Sequence, residues 1–135
     1  MTANTTDSKY RSAASLRIAH KHLDPTVITN ELKLIPMFAF ASGESKIHHH
    51  DSKSAGYWCG GFRAECPDGP DRVIRGIEEL VSCHERFITS LIEMGCTISV
   101  YIGIHLNVAS IGFDLPNCKI LNRLAIPIGI EFFGR

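Results

Sequence analysis

The chain has 135 residues, which suits one domain large enough to bury a core without disulfides or metal. Hydrophobic residues make up 44% and charged residues 21%, both near the globular average, and no apolar stretch is continuous enough to form a transmembrane helix. Lys+Arg and Asp+Glu are both 14, so the formal net charge is zero; this argues against a dominant nucleic-acid partner, which needs a clustered basic surface.

Residues 1–13 are polar and aperiodic and are expected to form a disordered leader, with one domain over residues 14–135. Leu16 and Ile18 alternate with Arg17, which predicts a strand with one buried face. Asp24-Pro25 reads as a helix start, followed at helical spacing by Val27, Ile28, Glu31 and Leu32 and ended by Pro36. A second strand is expected over Met37–Ala41. The polar run from Glu44 to Gly56 is loop-like. Tyr57–Glu65 is strand-like, with Gly60-Gly61 marking a bulge or a close backbone approach. The strongest helical pattern runs from Asp71, as N-cap, to Met94, with Val73, Ile77, Leu80, Val81, His84, Phe87, Ile88 and Leu91 on one stripe. Gly95 follows it as a left-handed stop. Thr97–Val108 alternates strictly, with Ile98, Val100, Ile102, Ile104, Leu106 and Val108 on one face. Ile111, Phe113 and Leu115 predict a shorter strand, Asn117–Leu124 a short helix, and Pro127–Phe133 a last strand with Ile128, Ile130 and Phe132 inward.

The predicted order is β-α-β-β-α-β-β-α-β. It implies an α+β two-layer sandwich, a mostly antiparallel sheet with helices on one face, ferredoxin-like in part.

Leu16-Arg17-Ile18, then Leu23-Asp24-Pro25 with Ile28-Thr29, then Leu32 to Pro36, Gly43-Glu44 and Trp58, follow one another in an order that resembles the opening of the bacterial family catalogued as domain of unknown function 4279. The long helix, the alternating strand and the closing helix and strand continue the resemblance over about residues 14 to 133. It implies the α+β fold and carries no activity with it.

The cysteines, Cys59, Cys66, Cys83, Cys96 and Cys118, are odd in number and no signal peptide is apparent. They are expected to be reduced thiols in a cytoplasmic protein, acting mostly as small buried hydrophobes. Cys59 and Cys66 are too far apart for a zinc pair, and Cys83 and His84 point about 100° apart on a helix. His48, His49, His50 and Asp51 carry ligand types that suit zinc, nickel or copper, but consecutive loop residues converge on one ion only under strain, so a solvated loop is expected. No cofactor motif appears.

What remains is a surface. With Leu16, Ile18, Ile102, Ile104, Ile128 and Ile130 toward the helices, Arg17, Tyr101, Gly103, His105 and Glu131 share the opposite face, joined by Arg63. A guanidinium, phenol, imidazole and carboxylate together suit a polar ligand or a protein partner. The sequence therefore favours a non-enzymatic binding module, for example an immunity-type protein that sequesters a partner. Two alternatives stand beside it: a metal-dependent protein or small-molecule enzyme using the His48–Asp51 loop with His105 or Glu131, and homo-oligomerisation through the sheet face or an edge strand.

Overall fold

Side-chain alternation along the central strand sets the architecture. In the computed structural model, which describes residues 10–41, 55–65, 69–106, 112–113 and 115–134, β1 (Tyr10–His20) buries Ser12, Ala14, Leu16 and Ile18 on one side. The remaining elements are α1 (Pro25–Leu32), β2 (Phe38–Phe40), β3 (Gly56–Glu65), α2 (Pro70–Cys83), α3 (Glu85–Glu93), β4 (Thr97–Leu106), α4 (Lys119–Arg123) and β5 (Ile128–Phe133). The strands form one sheet in the order β2-β3-β1-β4-β5. β1 is antiparallel to both β3 and β4, β2 is antiparallel to β3, and β5 is parallel to β4. The fold is α+β, as expected. β3, the α2–α3 pair and β4 make a split β-α-β unit with β1 between its two strands, the part shared with ferredoxin-like folds.

The core lies between the sheet and the helices. Leu16, Ile18, Trp58, Val100, Ile102 and Ile104 meet Ile28, Ile74, Ile77, Val81, Ile88 and Leu121 there. Asp24 caps α1 as expected, accepting from the Thr26 N–H at 3.0 Å, with Pro25 in the first turn. The Trp58 Nε1–H donates to Thr29 Oγ1 at 3.0 Å, so the one polar atom of a fully buried indole is satisfied and α1 is pinned to β3. Glu78 of α2 accepts from the backbone N–H groups of Ile120 and Leu121 at 2.7 and 3.1 Å, supplying the cap that Cys118 does not. Arg123 adds a two-pronged pair to Glu85 at 2.7 and 3.0 Å. These contacts hold α4, and through it the start of β5.

Several expected boundaries move. β1 begins at Tyr10, so Arg11–Ala13 belong to the sheet and not to a leader; residues 1–9 lie outside the described residues. α1 stops at Leu32, before Pro36, because Lys33 turns left-handed at φ 56°. The long helix is two helices, broken at His84 (φ −123°, ψ 33°). Both pieces keep an apolar stripe on the core, Val73, Ile77 and Val81 in one and Ile88 and Leu91 in the other, so periodicity runs through the break without marking it. The first piece is capped by Gly69 with Pro70 in the first turn, and Asp71 instead pairs with Arg75 at 3.5 Å. Gly95 closes α3 at φ 94°, as expected. The short strand expected over Ile111–Leu115 is absent at Gly112, Phe113 and Leu115, which are irregular. The physical reason is that β1 and β5 already occupy both edges of β4, while Phe113 satisfies its apolar character by packing on the core.

Gly60-Gly61 makes a close approach and not a bulge. The β1–β3 register runs through both without interruption, and a Cβ on Gly61 would sit 1.9 Å from the Ala14 carbonyl oxygen.

Candidate functional site: the open face of the sheet

Strand register converts side-chain parity into a map. On the side away from the helices, one row across the sheet reads Phe38, Cys59, Arg17 and Ser99. The next reads Gly61, Ser15, Tyr101 and Gly129, and the third Arg63, Ala13, Gly103 and Glu131. The last register row is Glu65, Arg11, His105 and Phe133. All five residues nominated from the sequence, Arg17, Arg63, Tyr101, His105 and Glu131, therefore lie on this face.

They fall into two groups. In the first, the Arg17 guanidinium lies over the Tyr101 ring, 4.2 Å from its centroid, and the Tyr101 hydroxyl donates to Glu131 Oε1. That hydrogen bond, with burial and the carboxylate charge behind it, raises the Tyr101 pKa above 10.0; Arg17 acts in the opposite direction. Arg17 Nε is buried and has no hydrogen-bond partner among the described residues.

The second group surrounds a cleft of about 320 Å³ at the β1–β3–β4 end of the sheet, lined by Arg11, Ser12, Ala13, Arg63, Ala64 and His105. Alternation turns Arg11, Arg63 and His105 onto the open face. Neither Arg11 nor Arg63 has an ion-pair partner among the described residues. His105 stacks on Phe133, with ring centroids 4.6 Å apart and planes 15° from parallel.

A third feature was not anticipated. Tyr57 is sandwiched by Phe38 and Phe40, each with its centroid 5.5 Å away. Burial first, and then Cys59, push the Tyr57 pKa up to about 12 against the pull of Arg17. Phe38 is 47% exposed, so this aromatic stack reaches solvent.

Arg11 was missed because it stood in the expected leader, although its odd number matches Arg17; extending the alternation backward would have found it. Phe38 and Phe40 needed the β2–β3 register, which no single-strand pattern supplies. His48, His49, His50, Asp51 and Cys66 lie outside the described residues. Among the described residues no group of three ligand-type side chains could hold a metal ion. Cys59 and Cys96 are buried, Cys118 is partly so and Cys83 is exposed, all as free thiols. His84 sits half-buried at the break between α2 and α3.

A family model described as Domain of unknown function (DUF4279) matches residues 8–132. No curated protein and no solved structure matches the chain. No helix among the described residues is long and apolar enough to cross a membrane.

Proposed function

The chain belongs to the DUF4279 family, and from the chemistry of its open sheet face we propose that it is a non-enzymatic binding module that docks an acidic segment of a partner protein. The observation that carries this reading is the cleft between Arg11, Arg63 and His105, with Arg17 further along the same face. Three arginines, Arg11, Arg17 and Arg63, stand on this face against two glutamates: Glu131, engaged by Tyr101, and Glu65, in register with Arg11. Small residues, Ala13 and Gly61, keep the floor low between the arginines. Forked guanidinium donors recognise carboxylates in pairs, and arginine with aromatic rings is the composition enriched in protein interfaces. Both the cleft and the Phe38–Tyr57–Phe40 stack offer their contacts on an open surface, which fits a protein segment better than an enclosed small molecule.

The test is an NMR titration of the ¹⁵N-labelled protein with a glutamate-rich hexapeptide, with a lysine-rich one as control. Shifts at Arg11, Ala13, Arg63 and His105, weakened by salt and abolished by Arg63→Glu, are the expected result. An equal response to both peptides, or none at millimolar peptide, would overturn the reading.

A further inference from the structure

One edge of the sheet is short and the other is not. β2, at the first edge, has three residues, and brevity is one way natural sheets limit unwanted pairing. β5, at the second, has six residues, IGIEFF, of which Glu131 alone is charged. Ile128, Ile130 and Phe132 share the helix side with Val100, Ile102 and Ile104, yet they remain 38%, 39% and 52% exposed. Beside them lies an apolar groove of about 370 Å³, lined among others by Ile74, Leu115, Ile128 and Ile130.

The free backbone groups of this edge can be assigned. The Val100 N–H donates to the Pro127 carbonyl at 2.9 Å, and a parallel ladder continues that pattern along odd-numbered residues of β5. The N–H and C=O groups of Ile128, Ile130 and Phe132 therefore point away from β4, toward the open edge.

We propose that a second copy of this chain pairs with that edge, β5 against β5, antiparallel about a two-fold axis through Ile130. Three features of the strand are self-complementary in this arrangement and set its register. First, the outward backbone groups meet: Ile130 faces Ile130, and Ile128 of each copy faces Phe132 of the other, so every bonded pair uses donors and acceptors that β4 leaves free. Second, the exposed apolar side chains meet as well. Ile128, Ile130 and Phe132 become one stripe crossing both copies and extend over the apolar groove. Third, Glu131 faces Gly129 of the other copy. Sliding the strands to the two-fold centred on Glu131 would set that carboxylate against itself, which opposes pairing. Centring on Gly129 would shorten the paired stretch. A two-fold pair of edges closes on itself, so assembly stops at two chains and joins two five-stranded sheets into one of ten. Apart from the Glu131–Gly129 pairs the interface uses the strand edge and the helix side, and the cleft between Arg11, Arg63 and His105 is no part of it, so it stands or falls independently of docking there.

Light scattering of the eluting 135-residue chain, over about a tenfold range of concentration, tests this. The expected mass is twice 14.9 kDa, falling to the single-chain value in Ile130→Pro. Proline there removes an N–H that points outward and leaves the β4 ladder its partners, and Gly129 before it relieves the usual steric conflict. Ile130→Lys, which places two charges at the axis, gives the same result should the proline variant not fold. A single-chain mass for the wild type overturns the proposal. So does a larger assembly, or a dimer that neither substitution weakens.

Discussion

β1 and β5 are written in the same pattern and meet opposite fates. Leu16 and Ile18 in β1 are 0% exposed, whereas Ile128 and Ile130 in β5, with the same alternation, are 38% and 39% exposed. The difference is position. β1 has a strand on each side and α2 above it, while among the described residues β5 has β4 alone on one side and the short α4 as its nearest helix in sequence. Alternation thus tells which way a side chain points, and strand order decides whether anything covers it. An uncovered apolar row on a long, nearly uncharged edge is a surface that pairing would bury.

That contrast can be broken most forcefully within one row of the sheet. Ile102 and Ile130 are register partners, one fully buried and the other 39% exposed. In denaturant unfolding at low protein concentration, Ile102→Ala should cost about 3 kcal/mol, through lost burial and the cavity left behind, and Ile130→Ala less than about 1 kcal/mol. Equal costs would mean that β5 is packed as firmly as the centre.

The glycines sharpen the same comparison. A Cβ at Gly61 would collide with backbone of β1 at 1.9 Å, and one at Gly129 meets nothing within 4 Å. Gly61→Ala should destabilise by about 2 kcal/mol, since backbone must move to admit it. Gly129→Ala should be neutral, or stabilise by about 0.5 kcal/mol through a stiffer unfolded chain. Thermal unfolding of the two variants side by side separates these outcomes.

The smallest effect belongs to the β2–β3 edge. The Tyr57 pKa stands at about 12, above its ordinary 10.0, so the folded state favours the neutral phenol. The unfolded chain begins to release that proton near pH 10 while the folded chain retains it, so the stabilisation is complete below pH 10 and is lost as pH rises toward 12. Melting temperatures measured across that window should decline less steeply in Tyr57→Phe than in the wild type.

Much of this fold was legible because two periods do most of the work. Strict alternation over Thr97–Leu106 placed every even side chain of β4 on the helix side, and the 3.6-residue stripe placed Val73, Ile77, Val81, Ile88 and Leu91 opposite them. Parity alone also collected Arg17, Arg63, Tyr101, His105 and Glu131 on one face. It could not order them. That Tyr101 reaches Glu131 depends on β5 lying beside β4, and that Arg63 and His105 flank one cleft depends on β3 and β4 bracketing β1. Both are long-range pairings with no signature inside a single strand. The break at His84 escaped for a different reason: a one-residue interruption leaves the apolar stripe nearly in phase.

Amide hydrogen exchange along β5 addresses the contrast at its source, because neighbouring residues report on opposite edges of one strand. At high protein concentration the outward N–H of Ile130 should be protected to nearly the same degree as the inward N–H of Glu131, and dilution should release Ile130 first. Rapid exchange at Ile130 at every concentration, beside a protected Glu131, would show an edge that stays open and would contradict the account.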